Sequence, residues 1–305
     1  MPHTPLRLQR LCRNGHSLTL EIWPNAGAGT LLFYPGTMLS PRQYRPLMTA
    51  LRNAGFTVAG LHPEGHGVNP HRSGFTFASL LEDGLFAEHW LRDAGLGPVA
   101  VCGHSQGGIL SVAHAGVSTT LTAAFAICAI LPQMPQAIAL TRFARFAYLR
   151  PRLERGIAAL GRLLPRLPVP LACYLSPRRV LAGRRNIRID RRGSRLAYPL
   201  GFLASLFGAR VSPLLHCPFR LYNACDDALF TPDLARAFLS EIRAPEKTCI
   251  WIPGGGHLAP MDPGYARFIA RDAAAVCAGL GISLRLEAGD TPKATAWDKK
   301  PPRSL

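Results

Sequence analysis

Lysine is nearly absent from this 305-residue chain, which holds only Lys247, Lys293, Lys299 and Lys300. Patterned cysteine is missing too. The eight cysteines (12, 102, 128, 173, 217, 225, 249 and 277) form no C-x-x-C pair and no Cys/His cluster of zinc-finger spacing. That excludes a disulfide scaffold or zinc module, and thiols inside apolar runs such as Val101-Cys102 and Ile127-Cys128 read as small core residues. No run reaches the roughly 18 apolar residues of a membrane span, and the longest candidate, Leu121 to Leu131, reads as a buried strand. Met1-Pro-His-Thr-Pro lacks the basic start and apolar stretch of a secretory leader, so a cytoplasmic protein is the expectation. Neither a dinucleotide fingerprint nor a phosphate-binding loop occurs, and no cofactor and no metal are expected.

What is present is apolar substance and unevenly placed charge. The chain is 48% hydrophobic and 17% charged, enough for a substantial core. Its formal charge of +17 is concentrated between residues 132 and 216, where sixteen arginines face two acids, Glu154 and Asp190. A general preference for arginine explains the choice over lysine but not why acids avoid this segment. Such a field suits an anionic partner, whether a phospholipid surface or an acyl ester with a charged head. A solvated helical face is the plainer alternative. Nucleic acid is not expected, since no recognition motif or interleaved aromatics accompany the charge.

Outside that segment, strand and helix patterns alternate. Strands are predicted at 18–23, 30–34, 56–61, 98–102, 121–131, 219–223 and 248–252, and helices at 41–54, 77–94, 109–115, 232–242 and 265–278. Alternation of this kind predicts an α/β fold with a mostly parallel sheet covered by helices on both faces. The expected division is a core of residues 1–131 and 217–282, an arginine-rich helical lid at 132–216, and a disordered polar tail at 283–305.

The chemistry concentrates where the fourth predicted strand ends. Val99-Ala-Val-Cys102 runs directly into Gly103-His104-Ser105-Gln106-Gly107, and an apolar helical stretch follows. A serine hydroxyl is a poor nucleophile until a base takes its proton and donors stabilise the oxyanion. G-x-S-x-G between strand and helix sets the serine on a tight turn that meets this need. The motif resembles the nucleophile elbow of the α/β-hydrolases, especially the esterase, lipase and lysophospholipase branches, over roughly 17–131 and 217–279.

The resemblance implies a triad in the order serine, acid, histidine. It makes Ser105 the nucleophile and His257, in Gly254-Gly-Gly-His257 after the last strand, the base. For the acid, the spacing after the 219–223 strand selects Asp226, with Asp227 a competitor. One oxyanion donor is expected from the Gln106 amide. The other should come from Tyr34-Pro-Gly-Thr37-Met38, where the family often has His-Gly; Thr37 is favoured over Met38. His62 and His66 lie in Leu61-His-Pro-Glu-Gly-His-Gly67, similar to a structural segment of the family. A serine elbow, unlike the aspartate of related dehalogenases and epoxide hydrolases, implies acyl transfer through an acyl-enzyme. The expected activity is hydrolysis of medium or long acyl esters or lipids, with possible peripheral contact to an anionic membrane. Thioester hydrolysis or acyl transfer on the same residues, and a non-catalytic lipid-binding member of the fold, are the alternatives.

Overall fold

The computed structural model describes residues 6–27, 29–69, 74–180 and 196–285. Eight strands form the main sheet: β1 (Arg7–Arg13), β2 (His16–Trp23), β3 (Thr30–Tyr34), β4 (Thr57–His62), β5 (Val99–His104), β6 (Ala124–Ile127), β9 (Phe219–Ala224) and β10 (Lys247–Ile252). Their order is β1-β2-β4-β3-β5-β6-β9-β10, parallel from β4 to β10. The antiparallel β1–β2 hairpin turns at Asn14 and Gly15, both at positive φ, as a tight two-residue turn requires. β1 escapes sequence reading because Arg7-Leu-Gln-Arg-Leu-Cys-Arg is mostly polar and exposed, an edge strand with one weakly buried face.

The central strands β3, β5 and β6 are mostly apolar because both faces are covered. Leu31, Leu32 and Phe33 of β3 and Val99 and Val101 of β5 are fully buried. Each such side chain contributes roughly 1.5–3 kcal/mol of hydrophobic stabilisation. Helix α1 (Arg45–Asn53) packs on α9 (Pro263–Gly279), and α2 (Phe77–Asp93) on α3 (Gln106–Ala115), while α8 (Pro232–Glu241) packs on β9 and β10. The predicted helix at 41–54 begins instead as a 3-10 turn over Pro41–Tyr44 before α1. The predicted strand at 121–131 is paired only over 124–127, since Cys128 takes φ +57 and leaves the ladder. Chain order reverses around β3 and β5, so the crevice beyond their carboxyl ends lies at a topological switch point, where open α/β sheets bind ligands.

Between β6 and β9 the chain leaves the sheet. It forms 3-10 segments at Pro135–Leu140 and Ala144–Leu149, then α4 (Arg150–Leu163), β7 (Pro168–Pro170), α5 (Leu171–Tyr174), α6 (Pro177–Val180), β8 (Ala197–Pro199) and α7 (Leu200–Phe207). The short β7–β8 ladder was not legible, because three-residue strands built on proline show no alternation. Gln133 closes the neck of this insertion by donating to the Val211 carbonyl (2.6 Å) and accepting the Val211 N–H (3.1 Å). Arg184, Arg185, Arg188, Arg191, Arg192 and Arg195 lie outside the described residues, as does 286–305 of the expected tail. Leu284, assigned to that tail, packs on the core, where Gly29 and Gly55 leave room for it.

Under the sheet, Glu88 on α2 is fully buried. It accepts from His114 Nε2 (2.7 Å), Ser118 (3.1 Å) and Thr120 (2.6 Å). Burial alone would raise its pKa, but these bonds outweigh it and hold the carboxyl at about 2. A depressed folded pKa adds stability that is present above the unfolded value, near 4.3, and lost as pH falls towards 2. Glu88→Gln should lower the unfolding temperature by several degrees at pH 7, with the gap to wild type closing near pH 2. Thermal unfolding across pH checks this, and a gap independent of pH would contradict it.

Candidate active site

Three loops at the carboxyl ends of the strands meet beneath the insertion. The first is the elbow. Ser105 takes φ +57 and ψ −116 between β5 and α3, a backbone that side-chain-bearing residues seldom adopt. It is held by the bond from its N–H to the Ile127 carbonyl (2.8 Å). The flanking glycines are steric necessities. A Cβ at Gly103 would lie 1.9 Å from the Gly107 carbonyl oxygen, and one at Gly107 would lie 2.1 Å from the Tyr34 oxygen.

The second loop follows β10. Gly255 and Gly256 adopt positive φ and turn His257 back over the sheet, where it is buried. His257 Nε2 lies 3.1 Å from Ser105 Oγ, while Nδ1 donates to Asp227 Oδ2 at 3.0 Å. Phe230 stacks parallel on the imidazole at 5.3 Å, fixing its plane.

The third loop follows β9 and brings Asp227, the competitor, rather than Asp226 to the imidazole. Asp226 is exposed and does not reach His257; its carboxylate accepts the Gly256 N–H at 2.8 Å, so it braces the histidine loop. Asp227 is buried and takes the place expected of Asp226. The turn decides between them: Asp227 Oδ1 accepts the N–H groups of Leu229 (2.7 Å) and Phe230 (2.9 Å), which aims Oδ2 at the imidazole. The thiol of Cys128 donates to the same oxygen at 3.2 Å. Burial opposes ionisation, but the bonds from His257, Phe230 and Leu229 prevail and hold the Asp227 carboxyl below its ordinary value. The Cys128 contact had no signal in the sequence.

The Pro35–Met38 loop after β3 faces the elbow. Thr37, Gln106 and Ser105 line one cavity of about 100 Å³. The Gly36 N–H donates to the Tyr44 hydroxyl (2.9 Å) and the Met38 N–H to that of Tyr198 (2.9 Å). Among the described residues, the Thr37 and Gln106 amides have no acceptor. His104 packs behind this loop: its Nε2 donates to the His257 carbonyl (2.7 Å) and its Nδ1 accepts from Tyr44 (2.6 Å). Burial pushes its pKa down to about 3, with His257 adding to the effect, so it stays neutral.

The rest of the cavity is mostly apolar, with walls that include Ile109, Ile138, Leu175, Leu203, Phe207 and Leu229. Among the described residues, Arg150 is the one charged residue of the lining, and it is engaged by Glu154 and by the carbonyls of Pro132 and Met134. The insertion's other described arginines therefore do not line this cavity. Among the described residues, two groups of donors could approach a metal. One is His104, Cys128 and His257; the other is His16, Glu64 and Asp83, where the Arg13 guanidinium already lies 3.0 Å from Asp83. His62 pairs with Glu21 at 3.2 Å.

Residues 31–271 match the model of the alpha/beta hydrolase family. This chain belongs to that family. The fold is shared with a monoacylglycerol lipase from Paleococcus ferrophilus (18% identity, 90% of this chain and 100% of that one, TM-score 0.64). It is shared as well with a soluble variant of the monoglyceride lipase from Saccharomyces cerevisiae (15%, 92% and 98%, TM-score 0.64). A thermophilic esterase from Thermogutta terrifontis is also similar (18%, 90% and 99%, TM-score 0.60). A search of curated proteins finds no match.

Proposed function

We propose that this alpha/beta hydrolase is a serine carboxylic-ester hydrolase working through an acyl-enzyme. The observation that carries the reading is the unbroken line from Ser105 Oγ through His257 to Asp227 Oδ2, with links of 3.1 and 3.0 Å. In this reading His257 Nε2 takes the hydroxyl proton as Ser105 Oγ bonds to the acyl carbon. Asp227 holds Nδ1–H and stabilises the imidazolium that forms. The amides of Thr37 and Gln106 receive the negative charge on the former carbonyl oxygen. Imidazolium then returns the proton to the departing alcohol, and a water activated by the same nitrogen releases the acid.

The apolar cavity supports a medium or long acyl group, as in a lipid or lysophospholipid, and residues 132–216 serve as its lid. Thioester hydrolysis or acyl transfer would use the same residues. Apart from Arg150 and Arg179, much of the lid's described charge is exposed, as are Tyr148, Leu160, Leu163, Leu164 and Leu167. Arg152, Arg155, Arg162 and Arg166 are exposed with them. Exposed leucines and arginines interleaved over residues 148–167 favour contact with an anionic bilayer, a refinement of the first reading.

Ser105→Ala and Asp227→Asn should each lower kcat on acyl p-nitrophenyl esters about a thousandfold or more. Asp226→Asn should cost less than about tenfold, because its carboxylate only braces the Gly256 amide. Equal losses at Asp226 and Asp227, or turnover surviving Ser105→Ala, would refute the assignment. Co-sedimentation should show binding to vesicles rich in phosphatidylserine, weakened by 0.5 M salt (a Debye length of about 4 Å) and by Arg162→Glu with Arg166→Glu. Binding indifferent to salt and to lipid charge would reject the membrane contact.

A further inference from the structure

The turn that presents Thr37 has an unsuitable residue in it. Leu39 N–H bonds to the Gly36 carbonyl (3.0 Å), closing a four-residue turn with Thr37 and Met38 in the middle. Met38 has φ +61 while Thr37 is not at positive φ, which is the type II pattern. That turn wants glycine at its third position, and a methionine there is strained. The unstrained alternative is a type I turn, reached by flipping the Thr37–Met38 peptide. The flip would put the Thr37 carbonyl where the Met38 N–H now points.

What opposes the flip comes from the insertion. Tyr198, on β8 and fully buried, accepts the Met38 N–H at 2.9 Å. Its own proton has a defined destination. His66 Nδ1 lies 2.7 Å from the Glu64 carbonyl, which can only accept, so that nitrogen carries the hydrogen. His66 Nε2 is then the acceptor for the Tyr198 hydroxyl, 3.2 Å away. The phenol is thus turned with its lone pair towards Met38. Burial raises its pKa, so it keeps the proton. The ring is clamped among Phe75, Phe202 and His66 at centroid distances of 5.8, 4.5 and 5.4 Å.

We propose that Tyr198 is a positioning residue that ties the insertion to the oxyanion loop, its phenol holding the Thr37–Met38 peptide in the type II orientation. The inference rests on the hydrolase reading of Thr37. With the phenol in place, Thr37, Ser105 and Tyr198 line the same cavity and the Met38 N–H faces the phenol. With the peptide flipped, the Thr37 carbonyl points to the Tyr198 side of that cavity in place of the Met38 N–H, a negative dipole that opposes the charge of the tetrahedral intermediate. Seating of the insertion and competence of the oxyanion hole are then one event, since the hydrogen bond exists only while β8 is docked.

Tyr198→Phe keeps the ring and removes only the oxygen. It should lower kcat about tenfold to a hundredfold with KM within threefold. Adding Met38→Gly should restore most of the loss, because glycine adopts the type II turn unaided. A loss of packing would not be rescued at Met38. Amide exchange supplies a readout independent of turnover: the Met38 N–H should exchange at least tenfold faster in Tyr198→Phe, while the Gly36 N–H, held by Tyr44, should not change. Wild-type kcat in Tyr198→Phe, a loss that Met38→Gly leaves uncorrected, or an unchanged Met38 exchange rate would each overturn the proposal. Should wild type itself hydrolyse no ester, the hydrolase reading falls instead. Faster Met38 exchange in Tyr198→Phe would then still support the phenol–amide tie, and unchanged exchange would overturn it.

Discussion

The buried hydrogen bond between His257 Nδ1 and Asp227 constrains everything around it. An imidazole can aim one nitrogen only if the other is held, and a carboxylate can be buried only if its oxygens are satisfied. Asp227 meets the second condition with two backbone amides and the Cys128 thiol besides the imidazole. His257 meets the first, and its remaining nitrogen lies against Ser105 Oγ. The elbow must therefore meet two loops more than a hundred residues further along the chain at one point. The parallel sheet makes this possible by ending β5, β9 and β10 at the same edge.

Around this line, phenols and histidines do the orienting. Tyr44 and Tyr198 each accept one amide of the loop after β3, on either side of Thr37. Each hydroxyl then meets a histidine, His104 or His66, whose other nitrogen faces a backbone carbonyl. One of these arms belongs to the core and the other to the insertion. The loop between them is held from two directions, which favours a preorganised donor over one that must be ordered during the reaction. The insertion also reaches the acid loop, where Arg179 donates to the Ala228 carbonyl at 3.0 Å.

Much of this was legible in the sequence, for physical reasons. Buried parallel strands must be apolar on both faces, so β3 and β5 read plainly. Gly103 and Gly107 are required by backbones that pass too close for a Cβ, so the elbow reads as a motif. Asp227 could not be separated from Asp226 by counting, because the choice is made by the amides of Leu229 and Phe230 folding back on one carboxylate. Tyr198 left no trace at all: its partner Met38 lies 160 residues away, and a lone tyrosine in a basic segment has no pattern. Apart from Arg150, the segment's described charge, prominent in composition, lies outside the cavity, so it bears more on what the protein meets than on what it holds.

The central claim is that Ser105 is the nucleophile, activated by the His257–Asp227 pair. Its most direct test is peptide mapping by mass spectrometry after reaction of the folded wild-type protein with a fluorophosphonate. The account predicts one phosphonyl adduct per chain, on the hydroxyl of Ser105. An adduct on another residue, or a folded protein that takes none, would contradict it.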